Sequence, residues 1–284
     1  MVTKFRRPRS AAEALAMLAD EPGSVPIAGG TYLLSSRFRE WPLAVVSVEG
    51  ILPSGVARAG DGLEIGANAT FQDLLDSAVI PEAIKAAARG MANRNIRNRA
   101  TVGGNAGANK SCGSLAPILL VCDAAFELAG GRGEISASDW YSTPQGEPRG
   151  LVSVVRIDAR RDRVMAYGRW ARTACDLSVL TAAVAFSGGG GAPLEGLRIA
   201  MGGLGPRARR FPELETLFEG RPLPGRDEIE AAAAGRVDPL ADVRGSAAFK
   251  RMRAAALLAE TLERADRIAA AGRLGEGRIE GDSI

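Results

Sequence analysis

The chain has 284 residues, 46% of them apolar and 24% charged, and its 36 basic and 33 acidic side chains leave a net charge of +3. That composition excludes a disordered, collagen-like or purely coiled-coil chain and is long enough for a sizeable core in two domains. With 0 histidines, the chain can form no Ser-His-Asp triad, Cys-His dyad, histidine-ligated zinc or axial haem histidine, so its chemistry is borrowed from a cofactor or done without imidazole.

The N-terminal run MVTKFRRPRSAAEALAMLADEP is basic and then alternates Ala and Leu with Glu13 and Asp20, so it lacks a secretory apolar core. Ser10 and Glu13 have capping-box spacing, and Ala14, Leu15, Met17 and Leu18 give the helix that follows an apolar face. Glu21-Pro22-Gly23 ends it. Val25 to Ala28 reads as a short buried strand entering Gly29-Gly30-Thr31, and Leu43 to Val48 as a second, β-branched one. Leu63 to Ala67 alternates as a strand, and Thr70 with Asp73 is a second capping box, opening a helix through Phe71, Leu74 and Leu75. This order is α+β rather than a repeating βαβ array.

From Arg94 to Ser114 the chain is rich in Asn, Gly and Arg and reads as irregular, an ordered loop of the kind that tends to be functional. Leu115 to Val121 reads as a short apolar helix, and Ala124 to Leu128 and Leu151 to Ile157 as strands joined by a Gly/Ser/Pro-rich connection. Val164 to Arg169 and Leu177 to Phe186 are further strands. Gly188 to Gly191 turns the second of these back toward Leu197 to Met201, which completes an antiparallel pair. Phe211 to Phe218, Asp227 to Ala234 and Ser246 to about Ala271 are helical by composition, and the tail from Gly275 reads as frayed. A polar bridge at 158–163 places a domain boundary near residue 160.

Several patterns carry chemistry, each beside a plainer reading. Gly104 to Ser111 nearly spells a phosphate-binding P-loop, but Asn109 occupies the second glycine and the polar run Arg94 to Arg99 replaces the required apolar strand. Gly29-Gly30 and Gly103-Gly104 each sit beside a threonine, Thr31 and Thr101; they are either tight turns or two loops whose amides converge on a pyrophosphate. Arg94, Arg97 and Arg99, interleaved with asparagines, read as pins for their own loop, and the spread of charge gives no case for nucleic acid. Cys112, Cys122 and Cys175 are too few and scattered for a disulfide framework or a cluster, which points to a reduced, cytoplasmic protein. No window approaches the roughly 18 uncharged apolar residues of a membrane span. Asp73, Asp76, Asp123 and Asp176 show no paired spacing for acid–base work, and Tyr167 and Trp170 are either strand aromatics or cofactor contacts.

IAGGTYLL at 27–34, LEIGANATFQDLL at 63–75 and NIRNRATVGGNAGANKSCGSLAP at 95–117 closely resemble the FAD-binding medium subunit of the molybdenum-containing hydroxylases. That family includes the flavin subunits or domains of xanthine dehydrogenase, aerobic carbon monoxide dehydrogenase and related aromatic hydroxylases. YGRWARTACDLSVLTAAVAF at 167–186, IAMGGLGPRARRFPELETLFEG and DPLADVRGSAAFKRMR extend the resemblance nearly end to end.

The resemblance implies a two-part α+β FAD-binding domain of the vanillyl-alcohol-oxidase type over residues 1–160. Residues 161–284 would form a smaller C-terminal domain with an antiparallel sheet and helices. It implies that Ile27, Ala28, Gly29, Gly30, Thr31, Tyr32, Leu33 and Leu34, with Thr101, Gly103, Gly104 and Asn105, wrap the FAD diphosphate, mainly through backbone donors. Ala92, Ile96 and Ala100 would line the approach, Ser114 and Val152 would make further contacts, and Tyr167 with Arg169 would border the flavin ring. Tyr32 stands where Asp is common, Ser114 where an acid is usual, and Lys110 and Cys112 in a stretch that is normally small and apolar.

The implied role is an oxidoreductase subunit with no catalytic acid or base and no metal site of its own. It would take electrons from an iron–sulfur small subunit, alongside a molybdenum-cofactor large subunit, and pass them to NAD, oxygen or another acceptor. A standalone flavoenzyme and a scaffold that has lost FAD are the alternatives.

Overall fold

A computed structural model of the chain describes residues 2–35, 44–144, 150–158 and 163–276. It opens on a strand with no clear sequence signal, β1 (Lys4–Arg6), followed by helix α1 (Ala11–Asp20). The Ser10 side chain accepts from the Glu13 amide as expected, but the Glu13 carboxylate takes the Arg9 amide at 2.6 Å, one residue before the expected partner. Strands β2 (Val25–Ile27) and β3 (Ala44–Ser47) follow, and the three strands run parallel in the order β1-β3-β2. The central strand is the apolar one, with Ala44, Val45 and Val46 buried and α1 packed against it. Leu43, expected to begin this strand, lies outside the described residues.

Strands β4 (Val56–Ala59) and β5 (Gly62–Gly66) form a hairpin, and α2 (Phe71–Asp76) and α3 (Glu82–Arg89) come next. The Thr70–Asp73 capping box is formed in both directions. The stretch read as irregular from Arg94 to Ser114 contains two short helices, α4 (Arg94–Arg97) and α5 (Val102–Ala108). Neither has an apolar period; each starts because a side chain, Asn93 or Thr101, accepts a first-turn amide. Helix α6 (Ala116–Val121) is buried throughout, as its sequence requires. Strand β6 (Ala125–Leu128), strand β7 (Glu134–Ser136), helix α7 (Ala137–Ser142) and strand β8 (Val152–Asp158) complete this half, β7 and α7 lying inside the expected connection.

The second sheet is antiparallel, in the order β4-β5-β8-β6-β7. Its register puts Leu63 opposite Ile157, and Val155 opposite both Ile65 and Phe126, so one face is a continuous apolar layer. On the other face Arg156 pairs with Glu64, Glu127 and Glu134 at 2.5–3.0 Å, an exposed cluster that contributes little net stability.

The remainder comprises β9 (Val164–Trp170), β10 (Leu180–Gly188), β11 (Leu194–Gly202) and β12 (Arg209–Arg210), then α8 (Pro212–Phe218), α9 (Arg226–Ala234) and α10 (Ala247–Glu276). The sheet order is β12-β11-β10-β9, and the pair turned by Gly188 to Gly191 is antiparallel as expected. This sheet is covered on both faces, which is why β10 is apolar without alternation. Ala182, Val184 and Phe186 face a core shared with α8, α9 and α10, whereas Tyr167, Ala183, Ala185 and Ala200 join the core of the preceding half through α3 and α6. Three arginines of the second half, Arg163, Arg198 and Arg210, reach the Asp123 carboxylate at 3.3–3.5 Å.

No helix among the described residues is long and apolar enough to cross a membrane. Most of the polar bridge at 158–163 and the tail from 277 fall outside the described residues.

The Lys250 side chain is 1% exposed and donates to the Leu240 carbonyl and to Asp242, each at 2.9 Å. Burial alone would raise the Asp242 carboxyl, but hydrogen bonds from Arg244 and Lys250 outweigh it and hold the group down at about 2. Asp242→Asn removes the counter-charge of a buried ammonium and should cost about 1–3 kcal/mol at pH 7 by urea denaturation. A folded carboxyl that titrates below its unfolded value of about 4 contributes fully above that value. The difference between parent and variant should therefore shrink as pH falls from about 4 toward 2; a constant gap across that window would contradict this role.

Candidate functional site

The three segments that carry the family resemblance lie far apart in sequence and meet in space. An ideal Cβ on Gly29 would sit 1.5 Å from the Arg99 carbonyl oxygen, so only glycine lets the two backbones touch here. On the other side of the same stretch, the Ala100 carbonyl accepts from the Phe71 amide at 2.9 Å and Thr70 bridges Thr101. The amides of Val102 and Gly103 donate to the carbonyls of Ala69 and Ala67 at 2.9 and 2.8 Å. A Cβ on Gly103 would lie 2.7 Å from that of Ala67. Residues 99–103 are thus pressed between the Gly-Gly-Thr turn and the segment leaving β5.

The two glycine–threonine segments have different duties. The amides of Val102, Gly103, Gly104 and Asn105 are all engaged, the last two by the hydroxyl and carbonyl of Thr101 at 3.1 and 2.9 Å. No described residue accepts a hydrogen bond from the amides of Gly29, Gly30, Thr31 or Leu33. Gly30 has φ of +70°, and such a turn aims successive N–H groups into one concavity suited to an anion. The turn is held from behind by Leu34, whose amide donates to the Gly30 carbonyl at 2.9 Å, while Ile27 anchors it in the core. Ala28 and Leu33 are half-buried, and Tyr32 and Leu34 are exposed.

The other expected residues approach from neighbouring elements. Ala92, at φ of +39°, and Met91 both receive the Arg97 guanidinium on their carbonyls at 3.3 Å; the same side chain reaches Gln72. Arg97 therefore pins the loop, while Arg99 pairs with Glu49 at 3.3 Å. The Ile96 amide is capped by Asn93, and its carbonyl accepts from the amide of Ala100 at 2.7 Å. Val152 is buried at the start of β8, where the neighbouring Ser153 carbonyl accepts from the Ala67 amide at 2.8 Å. Ser114 is buried beside Leu115, whose amide reaches Asn105 Oδ1 at 3.4 Å.

Tyr167 and Arg169 come from β9. The Arg169 stem lies against Gly90, where a Cβ would be 2.8 Å from its Cδ, and its head donates to Ser178 Oγ and the Asp176 carbonyl. These contacts bring it to the Gly90–Ala92 end of the site rather than to the Gly29–Thr31 turn. Tyr167 is 3% exposed, and its hydroxyl has no hydrogen-bond partner among the described residues. Burial raises its pKa, so the group stays protonated and able to donate.

The near P-loop at 104–111 is instead most of helix α5 with its left-handed cap at Asn109, preceded by a helix rather than a strand. Lys110, to which the sequence assigned no role, lies with its Nζ 5.0 Å from the centre of the Tyr32 ring. No described group of three or more Cys, Asp or Glu side chains is placed to hold a metal ion. A run of available amides and a buried hydroxyl with no partner among the described residues fit an anionic, aromatic cofactor.

Residues 1–158 match the family described as the FAD binding domain in molybdopterin dehydrogenase, and residues 165–265 match the CO dehydrogenase flavoprotein C-terminal domain. The chain is 32% identical over 265 residues to the uncharacterized protein YgfM of Escherichia coli K12, covering 92% of this chain and 95% of that one. It is 30% identical over 282 residues to the carbon monoxide dehydrogenase medium chain of Afipia carboxidovorans, covering 92% and 96%. It superposes on a chain of a crystal structure of Cu,Mo-CO dehydrogenase in its cyanide-inactivated form with a TM-score of 0.84 at 26% identity, covering 94% and 99%.

Gly29→Ala should force the Gly-Gly-Thr turn away from Arg99, because the clash is with backbone and no side chain can rotate out of it. We expect a loss of about 3 kcal/mol in denaturant unfolding; stability equal to the parent's would refute the close approach.

Proposed function

The chain belongs to the FAD-binding medium subunits of the molybdenum hydroxylases, and on that premise we propose that it is the electron-relay subunit of a multi-subunit oxidoreductase. In this reading it takes electrons from an iron–sulfur small subunit that also serves a molybdenum-cofactor large subunit. It passes them to NAD, oxygen or another acceptor. The observation that carries the reading is the set of unengaged amides at Gly29, Gly30 and Thr31 on a turn fixed by its contact with Arg99.

FAD, when bound, supplies chemistry that the twenty side chains lack, because its ring changes by one or two electrons and so joins one-electron clusters to a two-electron acceptor. The residues of this chain bind and orient. The amides of Gly29, Gly30 and Thr31 would hold the diphosphate, and Ile27, Leu33 and Leu34 would shield it. Thr101, Gly103, Gly104 and Asn105, whose amides are used internally, would form a rigid wall rather than the main donor set. Ala92, Ile96 and Ala100 would line the approach, with Ser114 and Val152 at its edge. Tyr167 keeps its proton and would donate it in a hydrogen bond, while Arg169, fixed by Ser178, would add positive charge near the ring. The division of labour falls near residue 160, residues 1–160 holding most of the cofactor and residues 161–284 closing the ring end.

An ideal Cβ on Gly104 would lie 2.8 Å from the Thr101 hydroxyl that caps α5, a single side-chain oxygen that must give way at the cost of part of that cap, and otherwise points into open space. Gly104→Val should therefore fold, with a helical circular-dichroism signal like the parent's, yet retain less than about a tenth of the flavin; full flavin would contradict the placement. For the relay itself, an iron–sulfur partner reduced with dithionite and freed of excess reductant is mixed anaerobically with the flavin-loaded chain. Bleaching of the flavin band is expected, and clusters that stay reduced beside oxidised flavin would refute the role.

A further inference from the structure

Tyr32 and Lys110, which the resemblance sets apart from its usual text, are 78 positions apart in sequence and in contact in the fold. Tyr32 belongs to the turn whose amides are available, a turn closed by hydrogen bonds from Leu34 to Gly30 and from Ser35 to Tyr32 at 2.9 and 3.0 Å. Tyr32 is 39% exposed and so stands at the rim of that turn rather than in the core.

Lys110 comes from the opposite side. The left-handed Asn109 ends α5 and redirects the chain, and the Gly113 amide closes the next turn on the Lys110 carbonyl at 2.8 Å. The following residue ties this loop to the second half of the molecule: the Ser111 hydroxyl donates to the Gly205 carbonyl, and the Gly203 amide donates to the Ser111 carbonyl at 2.9 Å. Lys110 is thus presented from a loop anchored at both ends, and its ammonium sits over the Tyr32 face at a distance where a cation and an aromatic ring attract.

We propose that the Tyr32–Lys110 pair is a clasp across the rim of the flavin site that slows the release of FAD. It joins the diphosphate turn to a loop held by the second half, so the turn cannot swing open without breaking the contact. It also brings a positive charge to the rim beside the Gly29–Thr31 turn, whose own donors are neutral backbone amides, and the ligand class it favours is a dinucleotide diphosphate. The proposal rests on the placement of FAD given above. Lys110 acts here as a positioning residue, through Tyr32 and the turn.

The test is the rate of FAD release from the loaded full-length chain, followed by the recovery of free-flavin fluorescence after dilution. Lys110→Met and Tyr32→Leu should each speed release by about threefold to thirtyfold, the range for losing a partly desolvated cation–π contact. The double variant should be no faster than the faster single one, because both remove the same contact. Lys110→Arg, which keeps a cation able to stack, should stay within about twofold of the parent. Unchanged release in Lys110→Met, fully additive effects in the double variant, or no rescue by arginine would overturn the clasp while leaving the site in place. A parent chain that binds no FAD would overturn the placement and the clasp together.

Discussion

A single methyl group at residue 29 would overlap the Arg99 carbonyl oxygen, and much of the first half of the molecule is arranged around its absence. The contact fixes the Gly-Gly-Thr turn against a stretch that is itself bonded on its far side to Ala67, Ala69 and Phe71. Because 99–103 spends its backbone groups on this clamp, it has few to offer a ligand. The turn opposite is held by packing and by one short hydrogen-bonded loop, and its Gly29, Gly30 and Thr31 amides have no acceptor among the described residues. On the proposed reading one segment would supply rigidity and the other donors, so that a chain with net charge +3 and no histidine could hold a diphosphate mainly through backbone amides.

The second constraint is the sheet β12-β11-β10-β9, buried on both faces. Alanines at 183, 185 and 200 let α6 approach one face, while α10 covers the other. The two halves therefore share packing as well as ion pairs, and the Asp123 carboxylate, reached by three arginines, marks the polar edge of the shared surface. Tyr167 and Arg169 arrive at the site only because β9 belongs to this sheet. In the proposed placement, a cofactor bound by the first half would meet the second half at its ring end.

Much of the fold was legible because local chemistry and tertiary packing agreed. The Thr70–Asp73 box, the buried run of α6 and the alternation in β5 each carry a local signature that the structure keeps. Helix α5 was not legible: the sequence VGGNAGA has poor helix propensity and no apolar period. It forms because Thr101 caps it and because Trp140, 34 residues away, donates to the Ala106 carbonyl at 2.9 Å. Strands β1, β4 and β7 have three or four residues and largely exposed faces, so their sequences carry little pattern. For the site, the resemblance marked the segments but not their duties. Which glycine pair keeps its amides available depends on the acceptors that engage the other, the Ala67 carbonyl beyond β5 for Gly103 and the Thr101 hydroxyl for Gly104. The Tyr32–Lys110 contact likewise has no sequence signal beyond two unusual residues.

Whether this chain holds FAD is decided by a visible absorption titration of the purified chain with FAD, followed by release in denaturant. The structure predicts saturation near one flavin per chain, with the shifted and resolved bands of a protein-bound oxidised ring and intact FAD in the released fraction. A chain that stays colourless, with added FAD keeping its free-solution spectrum, would contradict the placement of FAD at the Gly29–Thr31 turn.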